Sequence, residues 1–137
     1  VIAGFNMAMA AETEDRALDA AKINAGVAAL LTDREKGRYW VATDDDAVVG
    51  QIMTTYEWSD WRNGDIWWIQ SVYVKPDHRR NGYFGMLYNH VRKMALERGA
   101  VSLKLYMERS NARAEATYTK LGMKNVGHVH ELTNKMT

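Results

Sequence analysis

One stretch of this chain places backbone donors, fixed positive charge and two glycines close together. It reads Gln70-Ser-Val-Tyr-Val-Lys-Pro-Asp-His-Arg-Arg-Asn-Gly-Tyr-Phe-Gly85. Its first half alternates like a strand, and the apolar repeat that begins at Phe84 has helical spacing. Between them lie Lys75, His78, Arg79 and Arg80, and then Asn81, Gly82, Tyr83, Phe84 and Gly85. A helix N-terminus carries about half a positive charge and several unpaired N–H donors. Glycine lets a ligand approach that backbone closely. Such a turn can cradle a phosphate; a plain strand-to-helix turn with solvated arginines is the bland alternative. Spacing narrows the ligand. Gly82 and Gly85 are three apart, so G-x-G-x-x-G does not fit, and G-x-x-x-x-G-K-[S/T] occurs nowhere. NAD and ATP are poor candidates.

Other reactive residue types are sparse. There is no cysteine, which excludes a thiolate metal site, an iron–sulfur cluster, a disulfide scaffold and a cysteine nucleophile. This fits a reducing compartment, and the cytoplasm is the expected location. His128 and His130 sit two apart, but two ligands without a third do not make a metal centre, so no metal is expected. The net charge of +1 argues against nucleic acid as a partner. No apolar run reaches the ~20 residues of a membrane span. Four of the five tryptophans fall between Tyr56 and Trp68, together with Glu57, Asp60 and Asp65. Aromatic faces and carboxylates can receive a cationic amine, or alternate aromatics can simply cover a sheet.

The elements that must position these groups follow from periodicity. A short helical pattern runs through Phe5, Ala8 and Met9. A second, about 18–31, puts Ile23, Val27, Leu30 and Leu31 on one stripe. Strands are expected near 39–42, 47–58 and 66–74, with Asp44-Asp45-Asp46 turning the first into the second. A helix follows from Phe84 to Ala95, stopped by Gly99. A strand is expected at 101–107, a helix at 111–121 capped by Gly122, and a last strand at 126–132. At 137 residues this is one domain, an α/β (α+β) fold with a mixed, mostly antiparallel sheet flanked by helices. The chain lacks an initiator Met, so a natural chain that starts earlier is expected.

Val72-Tyr73-Val74-Lys75-Pro76 followed by Arg79-Arg80-Asn81-Gly82-Tyr83-Phe84 resembles the signature of the GNAT superfamily of acetyl-coenzyme A-dependent N-acetyltransferases. That signature is an alternating strand and then [Q/R]-x-x-G-x-[G/A]. Phe84 stands where Gly or Ala is usual, with Gly85 one place later. Asn111-Ala-Arg-Ala-Glu-Ala-Thr-Tyr118-Thr-Lys-Leu-Gly-Met123 resembles the family's second conserved helix, N-x-x-A-x-x-x-Y-x-K-x-G-[F/M]. The resemblance runs from about Tyr39 to Met123. The family's first strand, which precedes its first helix, is not found.

The resemblance implies a sheet whose parallel strands are splayed into a V-shaped cleft by a bulge near Val72 to Val74, acetyl-CoA as co-substrate, and acetyl transfer to an amine. The backbone of Val72, Tyr73 and Val74 would pair with the pantetheine arm, and the N–H of Val72 would face the thioester oxygen. The loop from Arg79 to Gly85 would hold the pyrophosphate. Asn111 would bond the pantetheine or cap its own helix. Tyr118 would be the general acid, since a phenol near pKa 10 can donate to a thiolate near about 8.5. The family often carries a Glu where this chain has Trp68. Glu57, Asp60 and Glu108 remain as bases, Glu57 ending the long strand, or no dedicated base exists. A small-molecule amine is the expected acceptor. A protein amine, a non-catalytic coenzyme A sensor and an unrelated α/β binding domain are the competing readings, and a homodimer stays open.

Overall fold

Two aspartates set the frame of the sheet. Strand β1 (Arg38–Asp44) turns into β2 (Ala47–Ser59) through Asp45 and Asp46 alone. Both have positive φ, 46° and 67°. That is the conformation of a two-residue hairpin turn whose twist matches its strands, and Asp tolerates it better than most residues. Strand β3 (Gly64–Val74) returns antiparallel to β2, and β4 (Ser102–Lys104) adds parallel to β3, in the order β1-β2-β3-β4. The computed structural model describes residues 1–107, 111–126, 134 and 136. They fall into two units, Val1–Tyr106 and Met107–Thr137.

In the first unit, helices cover both faces of the sheet. Helices α1 (Ile2–Glu14) and α2 (Ala20–Thr32) pack on the face that carries Gln51 and Met53. Asp19 caps α2 by accepting from the N–H groups of Ala21 and Lys22. Helix α3 (Tyr83–Glu97) packs on the other face, where Leu87, Tyr88, Val91 and Ala95 are buried at i, i+1, i+4 and i+8. Strand β2, covered on both faces, supplies Val49, Gln51, Ile52 and Thr54 to the centre of the core, each no more than 1% exposed. No helix among the described residues is long and apolar enough to cross a membrane.

The expected elements appear with two differences. The strand expected at 101–107 forms only over Ser102–Lys104, which pairs with Ile66–Trp68 of β3. The strand expected at 126–132, with His128 and His130, lies outside the described residues except for Val126, which is not in a strand. In the second unit, Asn111 caps α4 (Ala112–Lys120) by accepting from the N–H of Ala114 at 3.0 Å. Gly122 follows at φ 101°, and the N–H of Met123 returns to the carbonyl of Tyr118.

Candidate functional site

Strand β3 is broken by a bulge. Tyr73 pairs with Gln51 and Gln70 with Met53, so Ser71 and Val72 stand opposite Ile52 alone. Ser71 takes φ 50°, the left-handed conformation that a residue with a side chain adopts at a cost. The extra residue reverses which edge each backbone group faces. The carbonyl of Asp65 accepts from Val101, toward β4, whereas the N–H of Lys75 donates to Val49 on β2. An uninterrupted strand would turn both to the same side, since they are an even number of residues apart. Past the bulge, therefore, Tyr73 turns its backbone to β2, while Val72 and Val74 turn theirs to the opposite edge. Among the described residues β4 pairs with that edge only as far as Trp68. The carbonyl of Val74 accepts from Arg79 Nε at 2.9 Å there. The N–H groups of Val72 and Val74 are the donors this edge offers.

The loop beyond β3 is tied down on two sides. His78 lies between Asp77 (Nδ1 to Oδ1, 2.8 Å) and Asp44 at the end of β1 (Nε2 to Oδ2, 3.2 Å). The hydrogen bond from His78 holds the Asp77 carboxyl below the usual range. Arg79 donates from its terminal nitrogen to Glu12 of α1 at 2.8 Å. Glu12 also accepts from the Tyr73 hydroxyl at 3.5 Å. Burial raises the Tyr73 phenol, the Glu12 carboxylate raises it further, and Arg79 pulls it back. Arg79 thus orders the loop against α1, and Tyr73 packs its ring on Phe5, 5.0 Å between centroids. The Arg79 side chain, expected at the phosphate cradle, is engaged by Glu12 and the carbonyl of Val74, whereas the expectation for Tyr73 concerned its backbone alone.

The glycine turn behaves differently. Arg80 and Gly82 both have positive φ, 65° and 84°. Arg80, Asn81 and Gly82 are exposed. The first bond inside α3 runs from Met86 N–H to the carbonyl of Gly82, so the turn before it contributes no N–H to the helix ladder. A Cβ added at Gly82 or at Gly85 would meet nothing within 4 Å. Phe84 packs toward Tyr88, ring centroids 6.3 Å apart. The Tyr83 phenol is raised by burial and by Asp44, which accepts its hydrogen bond.

The face of the sheet under α1 and α2 carries the remaining candidates. Trp68 donates its indole N–H to Glu57 Oε1 at 2.8 Å, and its ring stacks on Tyr106. Glu57 thus stands on the same sheet face as Met53, four residues and about 13 Å along β2. Trp67 faces the other side, against Tyr56. Trp58 alternates away from Glu57, and Trp61 is 96% exposed at the hairpin tip. The structure does not gather these aromatics and Glu57 around one ligand. Asp60 accepts from the N–H of Trp61 in the turn, and Glu108 lies outside the described residues. Between α1, α2 and the sheet lies an open cleft of about 300 Å³ whose lining includes Tyr39, Met53 and Ser71 of the bulge. In the second unit, burial raises the Tyr118 phenol above its ordinary value. Asn111 uses its Oδ1 as the helix cap.

Sequence reasoning missed Gln51, which is fully buried. Its Nε2 donates to Asn6 Oδ1 at 2.8 Å and to the carbonyl of Ser71 at 3.1 Å, and Asn6 in turn donates to the Tyr39 hydroxyl. The signal was available: Gln51 is the lone polar side chain in the run Val48-Val49-Gly50-Gln51-Ile52-Met53.

Comparison with known proteins places this arrangement. A crystal structure described as a possible acetyltransferase from Clostridium difficile 630 is 44% identical, superposes with a TM-score of 0.92, and is matched over 99% of this chain and 90% of that one. The thialysine N-epsilon-acetyltransferase of Bos taurus is 30% identical over 79 residues, 58% of this chain. The match spans only 46% of that relative's length. The structure of AAC(6')-Iy in complex with the bisubstrate analog CoA-S-monomethyl-acetylneamine shares the fold, with a TM-score of 0.73 at 16% identity over 84% of this chain and 80% of that one. The profile of the acetyltransferase (GNAT) family matches residues 6–123, from the first helix past the glycine turn to the end of the last described helix. The chain belongs to that family.

Proposed function

We propose that the chain is an N-acetyltransferase that moves an acetyl group from acetyl-CoA to the primary amine of a small molecule by direct attack. The bulge at Ser71 and Val72 carries this reading, because it turns the N–H groups of Val72 and Val74 to an edge that β4 leaves unpaired beyond Trp68. When bound, acetyl-CoA supplies an activated acetyl group: the amine nitrogen bonds to the acetyl carbon, the C–S bond breaks with its electron pair on sulfur, the nitrogen gives up one proton and the thiol gains one.

The residues present fit that co-substrate. The glycine turn has room at Gly82 and Gly85 and offers helix N-terminal donors to a pyrophosphate, with Arg80 as its exposed cation. The N–H of Val72 is a fixed donor for a carbonyl oxygen that gains charge, a role in which a preorganised amide is effective. Val74 offers a second N–H to an extended amide arm. Glu57 stands on the same sheet face as Met53 of the cleft and takes the amine proton through water. Tyr118 returns a proton to sulfur.

A thermal melt tests the reading. Acetyl-CoA at 100 times its Kd adds about 2.7 kcal/mol, a rise of roughly 5–10 °C for a domain near this size. Thiol release can then be followed without background, because the chain has no cysteine. No shift at millimolar acetyl-CoA, or no thiol release with any amine, overturns the reading.

Tyr118→Phe is expected to lower kcat about 10²-fold, with the KM for acetyl-CoA within about threefold of wild type. Burial holds the phenol above its ordinary pKa, so it keeps its proton throughout the neutral and mildly alkaline range. The wild-type rate should therefore show no loss from phenol ionisation across that range. An unchanged kcat in the variant removes Tyr118 from the mechanism.

A further inference from the structure

The cleft between α1, α2 and the sheet is unlike a site for a polycation. None of the ten described residues that line it is charged. Its walls are Ile23, Val27 and Leu30 of α2 together with Met9 and Met53, and its polar atoms are gathered on Asn6, Tyr39 and Ser71. Asn6 donates to the Tyr39 hydroxyl at 3.0 Å, and Ser71 belongs to the bulge that precedes Val72. The cleft is therefore apolar along its length, with neutral polar groups at Ser71 of the bulge, at Asn6 of α1 and, across β2, at Tyr39 of β1. A second ammonium group, buried along these walls away from the reacting nitrogen, would lose hydration with no carboxylate among the lining residues to replace it. A compact apolar body gains from the same surroundings, and about 300 Å³ is the small end of the range for ligand sites.

The geometry points to an apolar primary monoamine as the acceptor: one nitrogen at the bulge, and an aryl or alkyl body along α2. This rests on the acetyl-transfer reading above and narrows it. It also separates this chain from the relatives just described, whose names point to a diamino acid and to an aminoglycoside.

The test has two arms. In the first, kcat/KM is measured with acetyl-CoA for 2-phenylethylamine, hexylamine, spermidine and neamine. The two monoamines should exceed the two polycations at least tenfold. Leu30→Glu should lower the value for 2-phenylethylamine at least tenfold and narrow its lead over spermidine; Met53→Gln, a milder change, should lower it severalfold. In the second arm, the methyl resonances of Met9 and Met53 are followed on adding each amine, with and without acetyl-CoA. Both should move with 2-phenylethylamine and stay in place with spermidine.

Equal or faster turnover of the polycations overturns the proposal. So do methyl resonances that ignore 2-phenylethylamine in both conditions. Movement of the methyls without turnover of any amine sinks the acetyl-transfer reading instead, while the preference of the cleft for an apolar amine stands.

Discussion

Gly82→Asp is expected to weaken acetyl-CoA binding at least 100-fold while leaving the fold close to wild type. The two halves of that statement have separate causes. Gly82 has φ 84°, and a side chain there meets nothing within 4 Å, so the substitution creates strain but no clash. Left-handed backbone costs an ordinary residue roughly 1–2 kcal/mol, and Asp is among those that tolerate it best. A carboxylate at the start of α3 also interacts favourably with the helix dipole, which offsets part of the strain. The melting temperature should fall by no more than about 5 °C. For the ligand both effects are adverse. The new carboxylate occupies the space in front of the helix N-terminus, competes for its donors and repels a pyrophosphate. Gly82→Asn separates shape from charge, since it has the same size and a similar tolerance of this backbone. It should lose about tenfold, and the further loss in the Asp variant is the electrostatic part. Calorimetric titration of both variants checks this. An Asp variant that binds within threefold of wild type would show that the turn is not where the phosphates lie.

What the sequence made legible was local. The Asp44-Asp45-Asp46 turn, the change from strand to helix after Pro76, and the spacing of Arg79, Gly82 and Gly85 can all be read from neighbouring residues, because backbone preference and periodicity act over a few positions. The helix cap at Asn111 is of the same kind. What escaped depends on pairings across the sheet or between distant elements. The resemblance implied a bulge near Val72, but that Ser71 takes the left-handed conformation follows from its register against Ile52, which nothing in a strand-like run announces. Arg79 read as a phosphate ligand, yet its partner is Glu12, 67 residues earlier. Ile23, Val27, Leu30 and Leu31 read as one apolar stripe, and of the four only Val27 is buried. Ile23 and Leu30 line the open cleft and Leu31 is 57% exposed. An amphipathic pattern records that a face is apolar; whether protein or ligand covers it is decided by how the helices pack.

Gln51→Leu should destabilise the chain by about 2–4 kcal/mol, although Leu is the more apolar residue and similar in size. The side chain is fully buried, and its amide is the donor that satisfies both Asn6 Oδ1 and the carbonyl of Ser71. Leucine leaves two buried acceptors without that donor, and the second of them belongs to the residue held in the left-handed conformation. Some of the loss is recovered, because Gln51 Oε1 has no partner among the described residues and its removal relieves a desolvated atom. Removing Asn6 as well should therefore cost less than the two single changes summed.

Gln51→Glu gives the sharper result. Two acceptor oxygens face the new group, so only the protonated acid can donate to either, and the folded state raises its pKa above the ordinary value of about 4.3. A group raised in this way contributes stability that is fully present below the unfolded pKa and is lost as pH rises through the folded one. Relative to wild type, the variant should be least impaired near pH 4–5 and progressively weaker toward pH 8 in urea melts. Because the same amide fixes Ser71, kcat should fall along with stability, while the turn beyond Pro76, the proposed pyrophosphate site, should bind coenzyme A as in wild type. A variant whose stability deficit is the same at every pH would mean that the introduced carboxyl does not face those two oxygens. The link from Gln51 to the bulge would then fail, whatever became of the rate.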